Sequence, residues 1–211
     1  ASNQADNTVS VFLNNGSLGN PSFAAGITLT TGQAPQGVAI GDIDGDGKPD
    51  MAVTSYNGNL VSVFRNTSTT GNISFAAKVD IALGSCPFFV VIRDMDGDGR
   101  ADMVTANKDA NTVSIVLNTG EVGSISFAER VDLATGLKPY SVTVGDLDDD
   151  GKPDVAASAF EANNMVVFRN KSTVGLVSFE VRQDFAVTTP YSISIGDLDG
   201  DGKSDLVTGN L

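Results

Sequence analysis

The sequence has no histidine and no tryptophan, a single cysteine, and only 13 Lys and Arg against 26 Asp and Glu in 211 residues. Without imidazole there is no His-based acid–base catalysis, no Ser-His or Cys-His nucleophile pair and no imidazole-ligated zinc. Cys86, standing alone, has no internal disulfide partner. The shortage of cations leaves a net charge of −13, which opposes both nucleic acid and an anionic membrane surface as partners. No apolar run approaches the roughly 18 residues of a membrane span; the longest is Cys86 to Ile92. The N-terminus lacks the basic-then-apolar layout of a signal peptide, although a removed one would leave the same appearance. The chain reads as soluble, without membrane insertion, and its 41% apolar content is ordinary for a core-forming protein.

What is abundant is acid, and it recurs. The run Asp42-Ile43-Asp44-Gly45-Asp46-Gly47-Lys48-Pro49-Asp50 returns from Asp94 to Asp102, from Asp146 to Asp154 and from Asp197 to Asp205, at spacings of 52, 52 and 51 residues. Seventeen of the 26 acids lie in these four runs. Other positions keep the register, so the repeat is a structural unit. Asn7-Thr8-Val9-Ser10-Val11 matches segments at Asn59, Asn111 and Asn163, while Phe23, Phe75, Phe127 and Phe179 recur, as do Pro35, Pro87, Pro139 and Pro190.

Within a repeat the periodicity is two, the period of a strand. Val38-Ala39-Ile40 and Val142-Thr143-Val144 alternate before the acidic run; Met51 to Thr54 follows it. A short polar turn, Tyr56 to Asn59, leads to a strand at Leu60 to Arg65, and a Gly/Asn/Ser/Thr-rich hairpin leads to another at Ser74 to Leu83. Four short strands per unit, repeated around an axis, predict an all-β protein and specifically a β-propeller. The chain is read as one domain, 1–211, with repeats at approximately 1–54, 55–106, 107–158 and 159–211. We name the strands of a blade A to D from the axis outward, with the acidic run joining A to B. The expected closure pairs the N-terminal C- and D-like strands with the C-terminal A- and B-like strands. Two other architectures fit the same spacing: part of a seven- or eight-bladed propeller, or two copies completing one ring.

The acidic run offers carboxylates at positions 1, 3, 5 and 9, with a backbone carbonyl at position 7, and glycines that let the chain curl. Ca²⁺ takes six to eight hard oxygen ligands in flexible geometry; Mg²⁺ demands a strict octahedron and keeps its waters. One Asp/Gly-rich run is an ordinary solvated turn. Four in register, each gathering carboxylates that repel one another without a cation, point to calcium. An EF-hand places its last acid at position 12 on a helix; here it falls at position 9, where a strand begins.

These residues, from Val38 through Val53 with Val61-Ser62-Val63-Phe64 and Phe75 downstream, resemble an FG-GAP/VCBS repeat, and the resemblance covers essentially the whole chain. It implies the calcium-bearing β-propeller of integrin α-subunits and of many bacterial secreted or surface proteins. It also implies four calcium sites. Their ligands would be Asp42, Asp44, Asp46 and Asp50 with Lys48, then Asp94, Asp96, Asp98 and Asp102 with Arg100. The third set is Asp146, Asp148, Asp150 and Asp154 with Lys152; the fourth is Asp197, Asp199, Asp201 and Asp205 with Lys203. The basic residues enter through their carbonyls. Arg93 replaces a glycine before the second run, and Asp149 replaces one inside the third, which makes that loop the least regular. Four bound ions would bring the net charge from −13 to −5.

The resemblance further implies an extracellular adhesion or ligand-binding module, secreted or on a cell surface, whose partner is a protein or glycan. Aromatic residues Phe88, Tyr140 and Tyr191 follow the repeated prolines, and Tyr56 and Phe160 stand in the B-to-C turns. All five would gather on the face opposite the acidic loops, as a ligand surface or as caps on the inner core. No catalytic residues are expected, the alternative being a carbohydrate-active enzyme or its accessory binding domain. Asp80, Asp132 and Asp184 recur on strand D as solvated edge charges. Cys86 is expected to be a small buried residue.

Overall fold

The β-branched, period-two segments all become strands. The computed structural model describes residues 1–211 and contains seventeen strands and one short 3-10 turn, Phe160–Ala162. Three complete blades are antiparallel four-stranded sheets. The first comprises β4 (Pro35–Gly41), β5 (Asp50–Ser55), β6 (Leu60–Phe64) and β7 (Val79–Ala82). The second comprises β8 (Pro87–Arg93), β9 (Asp102–Asn107), β10 (Thr112–Val116) and β11 (Val131–Ala134); the third comprises β12 (Val142–Gly145), β13 (Asp154–Ala159), β14 (Asn164–Phe168) and β15 (Gln183–Ala186). They are flanked by a three-stranded sheet, β1 (Ser2–Asn3), β2 (Thr8–Val11) and β3 (Ile27–Thr30), and by a two-stranded one, β16 (Pro190–Gly196) and β17 (Asp205–Asn210).

The four-stranded sheets pack face to face, with inner strands β4, β8, β12 and β16 side by side. Each core cluster therefore belongs to two neighbouring sheets. Ile43, Ala52, Val61 and Val63 of one blade meet Val90, Met103 and Val116 of the next; Val104, Val113 and Ile115 meet Val142, Val155 and Val166. Strands β5, β9 and β13 are buried at every residue because both of their faces are covered. This explains why, past the leading aspartate, their sequences are mostly apolar or small, whereas Val79–Ala82 and Val131–Ala134 of the outermost strands alternate. Burying a Val side chain in such a layer contributes on the order of 1.5–3 kcal/mol.

The terminal sheets do not close a ring, which corrects the expected pairing of the N-terminal and C-terminal strands. Ser2 and Asn3 already pair with Val9 and Thr8. In the complete blade the same places are held by Thr54 and Ser55, opposite Val61 and Leu60. By the repeat, Gly209 and Asn210 are their counterparts at the other end, so β17 would have to displace β1 to reach β2. A second correction concerns Cys86, which is half-buried, in a left-handed turn with φ of 56°, and not in the core.

Adjacent blades are also held by polar staples. Asn118 donates through Nδ2 to the carbonyls of Ile43 (2.6 Å) and Ala101 (3.1 Å), and Asn170 to those of Met95 (2.8 Å) and Pro153 (2.9 Å). One acceptor of each pair lies in the acidic loop of the preceding blade. Both asparagines are buried, so removing the amide would leave two carbonyls without that donor. Asn170→Ala is expected to cost about 1–3 kcal/mol, whereas Asn14→Ala, at the exposed equivalent position of the first sheet, is expected to cost below about 0.5 kcal/mol. Thermal unfolding of the two variants checks this; equal losses would remove the staple's importance.

Candidate metal centres in the A-to-B loops

Each acidic loop is first a device for using backbone N–H groups. The position-1 carboxylate reaches across the curl: Asp94 accepts from Gly97 and Gly99 (2.8 Å each), and Asp197 from Gly200 (2.7 Å) and Gly202 (2.9 Å). Position 3 accepts from position 5, as in Asp44 from the Asp46 N–H (3.1 Å), and position 5 from position 7, as in Asp46 from the Lys48 N–H (2.8 Å). The glycine inside each of these turns is left-handed, with φ of 71° at Gly45 and 85° at Gly47. Asp149 adopts φ of 60° at the same point of the third loop. That loop thus keeps the shared curl, with an aspartate bearing a strain that glycine avoids.

Position 9 has a different task. Asp50, fully buried, accepts from Ile43 N–H (2.9 Å) and Asp44 N–H (3.1 Å) through one oxygen and from Asn66 N–H (2.7 Å) through the other. Asp102 and Asp154 repeat the arrangement with Met95 and Asn118, and with Leu147 and Asn170. One carboxylate therefore ties the start of its loop to the C-to-D hairpin of the same blade.

These bonds converge the acids at positions 1, 3 and 9. Asp42, Asp44 and Asp50 place one carboxylate oxygen each within 4.8 Å of one another, and so do Asp94, Asp96 and Asp102, Asp146, Asp148 and Asp154, and Asp197, Asp199 and Asp205. The position-5 acids Asp46, Asp98, Asp150 and Asp201 lie outside these groups. Of Lys48, Arg100, Lys152 and Lys203 the structure shows the backbone N–H donating to position 5. An oxygen-only donor set of this kind suits a hard divalent cation. Asp44 Oδ2 strengthens the fit: it is buried with no hydrogen-bond partner, and Arg65 Nη1, at 3.7 Å, is too far to supply one. A cavity of about 380 Å³ opens beside it, between this loop and Glu121 and Val122 of the next blade.

Enclosure comes from the neighbour. The hairpin after Asn118 lies over the first loop, where Gly123 N–H donates to the Asp44 carbonyl (2.9 Å), and Gly175 N–H donates to Asp96 Oδ2 (2.6 Å) over the second. Asp44 and Asp96 are buried, whereas Asp148 and Asp199 are exposed. Burial, the largest influence, pushes the carboxyls of Asp44 and Asp154 upward and that of Asp102 to about 7, despite two backbone N–H groups that favour its charged form.

Sequence reasoning missed three contributors. Asn66, Asn118 and Asn170 recur at the end of strand C, and that recurrence was the available signal. Arg65 and Arg169 follow Phe64 and Phe168 and face the loops, Arg169 pairing with Asp148 and with Asp150 (3.2 Å). Lys108 belongs to the other end of the molecule. There Tyr56, Phe88, Tyr140, Phe160 and Tyr191 do come together, with centroid separations of 4.7 Å for Tyr140–Tyr191, 5.1 Å for Phe88–Tyr140 and 5.3 Å for Tyr140–Phe160. Phe88 and Tyr191 are the extra residues of β-bulges, between Pro87 and Phe89 and between Pro190 and Ser192. A bulge re-aims a side chain out of the ladder, here toward the turn end of the inner strands.

The blades and loops define a repeat protein of the β-propeller type. Residues 1–53, 42–105 and 94–157 match the FG-GAP-like repeat, and residues 189–210 match the FG-GAP repeat. The chain belongs to the FG-GAP repeat family. No curated protein sequence matches it. Among solved structures it is similar to that of BBS1N in complex with ARL6DN, soaked with lead, with a TM-score of 0.55 and 10% identity over 82% of this chain and 50% of that one. An auxiliary nutrient binding protein from Bacteroides ovatus has a TM-score of 0.48 and 14% identity over 82% of this chain and 45% of its own. The chain spans about half the length of these solved chains, and the first likeness is one of fold alone.

Buried carboxyls with raised pKa bind protons more tightly folded than unfolded, so their contribution is present below about pH 4 and is lost as pH rises toward 7. Asp80 and Asp109, lowered by their partners, contribute stability that is fully present above the ordinary carboxylate range and is lost only as pH falls below it, so they are silent between pH 4.5 and 7.5. Cation-free protein is therefore expected to melt at a falling temperature as pH is raised from 4.5 to 7.5. Calorimetry in a chelating buffer tests this, and a rising melting temperature would contradict it.

Proposed function

We propose that this protein is a calcium-stabilised, ligand-binding β-propeller module that works outside the cell, secreted or at a cell surface, in adhesion or ligand capture. The observation that carries the calcium reading is the set of four carboxylate triads, one of them containing the buried Asp44 Oδ2, which has no hydrogen-bond partner. Desolvated carboxylates in contact are unfavourable alone, and a cation of suitable size and ligand number offsets that repulsion. Asp42, Asp44 and Asp50, with their equivalents, would hold the ion, and its contribution is to clamp the A-to-B loop. Calcium is freely available outside cells, where modules of this class bind it with dissociation constants of about 10⁻⁴–10⁻³ M.

The role is binding and not catalysis. Three carboxylates outside the loops are held in place: Asp80 by Ser62 (2.7 Å) and Lys78, Asp132 by Ser114 (2.5 Å) and Arg130 (3.2 Å), Asp109 by Lys138 (2.7 Å). The ligand face we assign is the one opposite the loops, where the five aromatic rings meet; its partner is a protein or a glycan.

At millimolar calcium each site adds about 0.4–1.4 kcal/mol by mass action. EDTA is accordingly expected to lower the melting temperature by on the order of 3–20 °C, calcium restoring it better than magnesium. An unchanged melting curve would sink the calcium reading. The ligand face is tested separately: the double variant Tyr140→Ala, Tyr191→Ala is expected to lose the retention that the intact protein shows on glycan or protein arrays, with calcium-dependent melting preserved.

A further inference from the structure

The aromatic face carries a cation, Lys108, at the turn position that the neighbouring repeats fill with Tyr56 and Phe160. Lys108 Nζ stands 5.0 Å from the Tyr140 ring centroid and 5.3 Å from that of Tyr56, and donates to the Tyr56 hydroxyl at 3.1 Å. It forms no ion pair, although most cations of this acidic chain do. The adjacent carboxylate, Asp109, is taken by Lys138 at 2.7 Å. An ammonium has three donors, and one is engaged by the Tyr56 oxygen. Two remain for an outside acceptor, on a half-buried group where a charge-assisted bond is stronger than at an exposed site.

The rings beside it line no cavity of the molecule. They form a platform of rings packed edge to face, at 79° for Phe88–Tyr140 and 76° for Tyr140–Phe160, whose open surface is that of Tyr191, 38% exposed and tilted 32° to Tyr140. A platform does not enclose a small molecule. It suits a ligand presenting a flat C–H surface to an aromatic face and an anion beside it. A pyranose ring with a carboxyl substituent has both, at the spacing of one sugar unit. A peptide strand would instead seek an unpaired sheet edge, and the B-to-C and D-to-A turns present none.

We propose that this platform binds glycans containing uronic acid, Lys108 taking the carboxylate and Tyr140 and Tyr191 supporting the sugar ring. The assignment rests on the ligand-face reading above and names the ligand class for it. Its electrostatics are local: the acidic loops lie at the opposite ends of the strands and are partly neutralised when cations fill them.

The test uses a glucuronic-acid-containing oligosaccharide and the same oligosaccharide with its carboxyl groups reduced to hydroxymethyl, titrated calorimetrically into the intact chain in calcium buffer. The acid form is expected to bind about tenfold more tightly than the reduced form, the preference weakening with added salt. Lys108→Gln is expected to abolish the preference without lowering the melting temperature, and Lys108→Arg to retain it. Tyr191→Ala is expected to weaken both forms. Equal affinity for the two forms, both lost in Tyr191→Ala, would overturn the uronate assignment while leaving the ligand face standing. Binding of neither form overturns it as well, and retention on protein arrays that depends on Tyr140 and Tyr191 would then show that the face itself is correctly placed.

Discussion

The fold depends on one interaction repeated along the chain: a buried carboxylate at the end of the acidic loop, accepting backbone N–H groups from two separate turns. Asp50, Asp102 and Asp154 each join the beginning of a loop to the beginning of the C-to-D hairpin. Backbone donors at a bend have no ladder partner and cannot be left unpaired in the interior. A carboxylate satisfies several of them at once, at the cost of desolvating a charge. Apolar packing between sheets is generous but non-directional; these carboxylates set where each strand begins.

The same economy governs the asparagines. Asn7, Asn59, Asn111 and Asn163 all take left-handed backbone, and each side-chain oxygen accepts from the N–H of a residue in the D-to-A turn, at Ala34, Cys86, Lys138 and Thr189. One end of every blade is thus closed by amides and the other by carboxylates. Short polar side chains do work that longer strands or disulfides do in other small β proteins.

Much of this was legible. The four acidic runs, their spacing and the period-two segments defined the blade and the positions of its strands, because a repeat multiplies weak local signals. The aromatic residues were also placed on one face correctly, from their register after the prolines. Ring closure was not legible, since it depends on whether Ser2 and Asn3 or Gly209 and Asn210 occupy the edge of β2, and both segments carry suitable strand signals. Position 5 stands apart from the converged triads, bonding its own loop two residues on. A carboxylate that bonds its own loop two residues on looks, in sequence, the same as one turned to the centre. Lys108 escaped notice because it is a lysine at the B-to-C turn position that Tyr56 and Phe160 hold in the neighbouring repeats, and so fell outside the aromatic pattern.

The hairpins that lie over the first and second acidic loops belong to the next blade. Whatever the loops bind, the chemical identity of a site is therefore written in one repeat and its dielectric surroundings in another. Four nearly identical nonapeptides need not behave as four identical sites: Asp44 and Asp96 sit beneath a neighbour, Asp148 and Asp199 do not. Occupancy of such a loop would report on the contact between two blades as much as on the loop itself, coupling nearest neighbours along the arc.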